Sequence, residues 1–477
     1  MIDVKQALQG VPHFDTFCSV RQLHELTERL RADPRFTVTV AGTSEGGIPI
    51  YHVRYGQGSV KALFLAFPHC MEPIGGLTVY SLMSLLLQRC ATLVEADVEW
   101  HIVPCIDPDG ALLNEVWTQN LSFDRFVKHY YMQTHREQAD MSFPIAYKKL
   151  NWNQPSHGAR ILKSLLDKIR PDFFFDLHST RAGGAFYFLT RDIGQDHRRQ
   201  IYQLLREQNF PIQERPCWKE ISTPFDEGMW EQYKTRKLYD YLEKTTAAPE
   251  TSAILRYGAC SWDYLEEIKP EALTLVAEMG IFRHADDESD EPTNMNLRRF
   301  KLRIDADSKY LASVLLSEWE KVKDDVERTN PFYRTVVGYA LPAKEKVLEG
   351  GWPISRYPTA EMLSNPAHDR LMTRGDVFNT CVMDSGLYFV QFAYHLVNLL
   401  RASPQTAAVQ EALERVERAF DEVQGEIARH INFDGFQAFE LDTLARVQLG
   451  SGLIVLNSIV EADGRAAVRG EPPSPGS

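Results

Sequence analysis

The chain has 477 residues, more than one ordinary hydrophobic core accommodates, so two domains are expected. Hydrophobic residues make up 44% and charged residues 25%, an ordinary globular composition, and the longest apolar runs are far too short to span a membrane. A formal net charge of -13 sets the surface against nucleic-acid phosphates, so neither a nucleic-acid nor a membrane partner is expected.

The cysteines, Cys18, Cys70, Cys90, Cys105, Cys217, Cys260 and Cys381, are scattered, odd in number and form no Cys-x-x-Cys pair. That pattern suits reduced thiols better than a disulfide framework. The start, Met1-Ile2-Asp3-Val4-Lys5, lacks a basic stretch followed by an apolar run. A cytoplasmic protein is expected on both counts.

In chain order, residues 20–32 show the apolar spacing of a helix, and 36–40 alternate as a strand. The run Thr43-Ser44-Glu45-Gly46-Gly47 is a turn leading into a second strand over 48–55. Residues 60–67 are almost continuously apolar, the mark of a strand buried on both faces. A helix over 78–90 and a strand over 98–105 follow, the latter ended by Asp107-Pro108-Asp109-Gly110. Residues 159–169 read as a helix, and 172–177, with Phe173-Phe174-Phe175, as another buried strand. Strands at 185–190 and 273–277 complete the set. The alternation predicts an α/β domain with a central mixed, mostly parallel sheet flanked by helices. The acidic run Asp286-Asp287-Glu288-Ser289-Asp290-Glu291-Pro292 reads as a solvated linker. The domains expected are therefore an α/β one over 1–290, a mainly helical one over 295–465 and a disordered tail over 466–477. Helices are expected at 302–323, 387–401, 406–429 and 436–449. Their amphipathic spacing suits covering a site, forming a homo-oligomer or binding a partner.

Polar clusters follow the buried strands, and the carboxyl ends of strands in an open α/β sheet are where ligands bind. Pro68-His69-Cys70-Met71-Glu72 follows the 60–67 strand, and a His and a Glu three apart in a turn can aim a nitrogen and a carboxylate at one ion. Asp176-Leu177-His178-Ser179 closes the Phe-rich strand. Each motif alone also reads as a chance pair or a hydrogen-bonded histidine. Together, His69, Glu72 and His178 make a His₂Glu set for one Zn²⁺ ion with a fourth position left for water, the pattern of a catalytic zinc. Glu278 closes the apolar run 273–277, where a carboxylate needs a partner; it is either salt-bridged or a general base. The segment from Arg256 to Tyr264 carries small residues around Tyr257, a phenol able to fold over a substrate, or is an ordinary aromatic loop.

The order of these motifs resembles the zinc carboxypeptidases of the carboxypeptidase A type over roughly residues 15–285. Gly42-Thr43-Ser44-Glu45-Gly46-Gly47-Ile48-Pro49-Ile50 is similar to that family's entry segment. His69-x-x-Glu72, Asp107-Pro108-Asp109-Gly110, Asn151-Trp152-Asn153, Asp176-Leu177-His178-Ser179, the segment from Tyr257 to Trp262 and Glu278 follow in the family's order. The resemblance implies that His69, Glu72 and His178 bind zinc and that Glu278 is the base. It further implies that Tyr257 caps the substrate and that Asn151 contacts a substrate carboxylate. Three positions depart from the family: Trp152 stands where an arginine grips the terminal carboxylate, Thr118 where an arginine helps the oxyanion, and Lys149 where an aspartate orients the first zinc histidine. An indole forms no charge-assisted fork with a carboxylate. Arg181 and Arg125 are candidates to replace the missing cations.

The expected function is zinc-dependent hydrolysis of an amide bond in a modified peptide or N-acyl amino acid. The alternatives are a deacylase of the aspartoacylase kind and a non-catalytic binding protein that keeps the fold.

Overall fold

The computed structural model describes residues 1–213, 221–245, 258–341, 364–384 and 386–469. Its contacts divide the chain into two units, one built from Met1–Gln119, His135–Ile281 and the chain from Phe439 onward, the other from Asn120–Thr134 and Phe282–Ala438.

The first unit holds the strands β1 (Phe36–Thr43), β2 (Pro49–Tyr55), β3 (Val60–Leu65), β4 (Val98–Val103), β5 (Ile145–Tyr147), β6 (Leu150–Trp152), β7 (Phe173–Leu177), β8 (Thr180–Ala182), β9 (Ala185–Leu189), β10 (Pro224–Asp226) and β11 (Met229–Glu231), and most of β12 (Leu273–Arg283). The main sheet runs β1-β2-β4-β3-β7-β12-β9-β11-β10. Its centre, β4-β3-β7-β12, is parallel, and antiparallel pairs β1/β2, β2/β4, β12/β9 and β10/β11 extend it on both sides. The fold is thus a mixed α/β sheet flanked by helices, as the strand-helix alternation predicts.

Burial explains the central strands. Leu63, Leu65 and Phe174 face a cluster with Leu162, Leu165 and Leu166 of the helix His157–Ile169. Phe64, Phe173 and Phe175 pack together with ring centroids 5.5–5.9 Å apart. The helices Ile74–Leu87 and Leu441–Arg469 pack against each other, and the latter also against β3 and β7. Both layers exclude water, so β3 and β7 read as nearly continuous apolar runs, interrupted only by Lys61 and Asp176.

The helix expected at 78–90 begins earlier, at Ile74. Gly75 and Gly76 belong to its first turn because a Cβ there would stand 2.9 Å from Leu177 and from the Phe67 ring, so the glycines mark close packing and not a break. The Asp107-Pro108-Asp109-Gly110 run does more than end β4. Asp107 caps the helix Pro108–Thr118, accepting from the Gly110 N–H, with Pro108 in the first turn.

The division at 290 is displaced. It falls between Ile281 and Phe282, inside β12, and the long helix Leu441–Arg469 joins the first unit because it covers the sheet. Its stretch Leu441–Ala462 is long and apolar enough by composition to cross a membrane, with 78% of the apolar window buried inside the protein. In the second unit the helices Leu297–Val322, Gly386–Ala402 and Ala407–Ala428 pack on one another, close to the spans read from periodicity.

Candidate metal centre

The chain leaves β3 to form β4 on one side and later returns to form β7 on the other. The carboxyl ends of β3 and β7 therefore flank a topological switch point, where an open α/β sheet forms a crevice. His69 lies four residues beyond β3, and His178 is the first residue beyond β7. The parallel register that sets Ala277 beside Leu177 brings Glu278 next to His178.

The loop after β3 is held in shape from below. Phe67 takes a left-handed φ of 57°, turning the chain sharply before Pro68. Asn114 Nδ2 donates to the Cys70 carbonyl at 3.3 Å and Trp117 Nε1 donates to Asn114 Oδ1 at 2.8 Å. The entry segment is anchored to the same helix, since Ser44 Oγ and the Gly46 N–H both donate to the Asp109 carboxylate at 2.8 Å. Two of the weak motifs in the sequence are therefore supports for the His69 loop.

The three expected ligands converge. Glu72 Oε1 is 2.7 Å from His69 Nδ1, and Glu72 Oε2 is 3.0 Å from His178 Nδ1. The two rings are edge-to-face with centroids 4.6 Å apart. One ligand atom from each of the three residues lies within 4.8 Å of the others. Ligand atoms of a tetrahedral zinc with bonds of about 2.0–2.2 Å stand roughly 3.3 Å apart, so the donor set suits that ion in type and spacing. The Ser179 N–H donates to Glu72 Oε2 at 3.0 Å and helps fix the carboxylate. Glu278 Oε1 is 3.9 Å from His178 Nδ1 and its side chain keeps 21% exposure, so it faces the ligand side of the centre while open to solvent.

On the far side of both rings lies Asp140, which the sequence reading did not single out. Its Oδ1 is 3.2 Å from His69 Nε2 and its Oδ2 3.7 Å from His178 Nε2, and the side chain is fully buried. Asp140 thus places a buried carboxylate behind the His69 ring, which Lys149 does not. That lysine is exposed in the turn between β5 and β6. The segment carrying Asp140 is tied to the His69 loop by the Ala139 N–H, which donates to the Pro68 carbonyl at 3.3 Å. No periodic pattern surrounds Asp140, and only the folded loop brings it to the centre.

Electrostatics follow from this crowding. Burial opposes charge on His69, but Glu72 and Asp140 outweigh it and push the imidazole up to about 10. His178 is raised well above its usual range, with burial again overcome, chiefly by Glu72 and Asp176. Glu72 would be raised by burial, yet His69 and His178 bring it down to about 2. Burial pushes the Asp176 carboxyl up, against the pull of His178. Among the described residues, both ring nitrogens of His178, His69 Nε2, both Asp140 oxygens and Asp176 Oδ1 are buried without an aligned hydrogen-bond partner. Buried carboxylates in excess of cations are what a bound dication neutralises.

The remaining expected residues are more spread. Asn151 is exposed in the hairpin β5/β6. Trp152 lies against Gly258, whose φ of +93° and approach to the indole leave no room for a side chain, and Arg136 stands 5.3 Å over its ring. Arg181 is half-buried in β8, three residues past His178. Thr118 is buried at the end of its helix. Arg125 is exposed in the helix Phe123–His129 of the second unit. Tyr257 lies outside the described residues.

No protein-family model and no curated protein matches the chain. Solved structures similar to it include a metallo-carboxypeptidase from Burkholderia cenocepacia, 15% identical, covering 55% of this chain and 60% of that one with a TM-score of 0.35. Carboxypeptidase A from Helicoverpa armigera is 13% identical, covering 56% and 66% with a TM-score of 0.36. A putative succinylglutamate desuccinylase / aspartoacylase family protein from Shewanella amazonensis is 17% identical, covering 51% and 66% with a TM-score of 0.22.

Proposed function

We propose that the protein is a zinc-dependent hydrolase that cleaves an amide bond in a small modified peptide or N-acyl amino acid. One observation carries this reading: two imidazole Nδ1 atoms from separate strands face the two oxygens of a single glutamate at a switch-point crevice. His69, Glu72 and His178 would hold one Zn²⁺. Bound there, the ion supplies Lewis acidity toward a carbonyl oxygen and makes water a stronger nucleophile at neutral pH. Glu278 faces the same side and is open to solvent; it takes a proton from the attacking water and returns it to the leaving nitrogen. Asp140 and Glu72 hold the rings so that this geometry is in place before substrate arrives.

Trp152 favours an atypical substrate. An indole against Gly258 offers an apolar wall in place of a guanidinium fork, which suits an acyl or otherwise modified group better than a bare terminal carboxylate. Arg181 and Asn151 are proposed as polar contacts to the substrate, and Tyr257 as a further contributor to substrate contact. Retention of Asp140 weighs against a non-catalytic binding protein, since the orienting carboxylate that seemed missing is present. Six described cysteines are free thiols, in keeping with a reducing, cytoplasmic setting.

The test is metal analysis with a base variant. The purified protein is expected to bind one equivalent of zinc, and Glu278→Gln to keep that zinc while losing turnover on a panel of N-acyl amino acids and blocked dipeptides. Full turnover in Glu278→Gln removes the base assignment, and absence of zinc binding removes the enzyme.

A further inference from the structure

On β7 and its continuation, residues two apart project to the same side. Asp176 and His178 are so related, and Asp176 Oδ1 lies 3.7 Å from His178 Nε2, the ring nitrogen turned away from Glu72. Asp140 Oδ2 approaches the same nitrogen from the loop side, also at 3.7 Å. Both aspartate side chains are fully buried. Ser261 joins them, its N–H donating to the Asp140 carbonyl at 2.6 Å and its hydroxyl to Asp176 Oδ2 at 3.3 Å. The backbone of His178 is held as well, since Gln448 Nε2 donates to its carbonyl at 2.7 Å.

We infer that Asp176 is a positioning residue for His178, and that Asp140 and Asp176 act as one buried dicarboxylate cradle, braced by Ser261, that fixes both imidazoles from behind. The inference rests on the zinc reading above. An imidazole that gives Nδ1 to a metal carries its hydrogen on Nε2, and the two carboxylates 3.7 Å from the Nε2 of His178 favour that tautomer and ring angle through charge and not through an aligned hydrogen bond. Asp140 serves both rings through its two oxygens, whereas Asp176 serves His178 alone. The cradle therefore predicts an order of effects: loss of the Asp140 charge disturbs two ligands, and loss of the Asp176 charge one.

Zinc affinity measured by competition with a chromophoric chelator, and the visible bands of the Co²⁺-substituted protein, test this. Asp176→Asn is expected to weaken zinc about 10- to 100-fold and to shift the cobalt bands, with a larger effect from Asp140→Asn. Affinity and spectrum in Asp176→Asn equal to those of the unaltered protein overturn the inference. A lowered melting temperature with unchanged affinity and bands also overturns it, because that is a role in packing alone. Should Asp176→Asn fail to fold, Ser261→Ala carries the test: a shifted cobalt spectrum supports the cradle, and an unchanged spectrum and affinity overturn it. Equal zinc binding in variant and unaltered protein sinks this inference only; no zinc binding by the unaltered protein sinks the zinc reading itself, and the cradle with it.

Discussion

At His69 one imidazole stands between two carboxylates, Glu72 at 2.7 Å and Asp140 at 3.2 Å. Under the zinc reading proposed above, protons and the ion would compete for the Glu72 side of that ring. The ordinary value of 6.5 rises to about 10 in the metal-free protein, so the protonated ring contributes stability that is fully present below pH 6.5 and lost as pH rises through about 10. Zinc bound as proposed would have the opposite sign, displacing the proton and tightening as pH rises through the same window. Chelator-treated protein is therefore expected to melt at falling temperature between pH 6.5 and 10, while the gain in melting temperature from added zinc grows. Scanning calorimetry with and without zinc measures both, and a zinc effect that shrinks with rising pH contradicts the assignment. Much of this residue-scale picture was legible in the sequence, since His69, Glu72 and His178 were each marked by their place after an apolar strand, whereas Glu278, read as closing the run 273–277, lies inside a strand that continues to Arg283. Asp140 was not, because its approach to His69 depends on a loop with no periodicity. Asp176 stood in plain view in Asp176-Leu177-His178, and its spacing of two is the signal that could have assigned it.

Among the elements, the strands that position the centre were the easiest to read. Burial on both faces favours nearly continuous apolar runs such as 60–65 and 173–177, broken only by Lys61 and Asp176. Helix starts were harder. The helix expected from residue 78 leaves out Gly75 and Gly76, and Gly110 reads as the end of a strand, yet all three lie in first turns of helices where neighbours press close. At Gly110 a Cβ would meet Cys70 Cβ at 2.6 Å and Sγ at 2.7 Å, inside the His69–Glu72 loop. Gly110→Ala is expected to cost about 1–3 kcal/mol by overpacking and, by pushing Cys70, to weaken zinc binding as well. Chemical denaturation and a zinc titration on the same variant check the two effects; a stability loss without any change in zinc affinity detaches the helix from the metal loop.

At the scale of the molecule, the sequence located a change in composition near 286–292, but the units divide at Ile281 and Phe282 and are interleaved along the chain. Composition detects a solvated stretch and not which distant segment returns to cover a sheet. The returning helix, Leu441–Arg469, lies along β3 and β7, and its Gln448 bridges the Thr78 hydroxyl and the His178 carbonyl, at 2.7 Å to each. Its Asn457 exchanges hydrogen bonds with the Ile2 backbone at 2.8 and 2.9 Å. Ending the chain after residue 440 is expected to strip the sheet of this cover and to leave no cooperative melting transition and no zinc binding. Circular dichroism and metal analysis of the truncated protein decide this, and a folded, zinc-binding product would make the helix dispensable.

The same arrangement sets a schedule for biosynthesis. The ribosome releases both histidines of the centre and almost the whole of the second unit before the stretch that carries Gln448 emerges. A nascent chain therefore exposes the flank of β3 and β7 until residues some 270 positions beyond His178 have been translated. Chaperone dependence during this interval, rather than any slow step in the finished fold, is the vulnerability that such a late-arriving helix builds in.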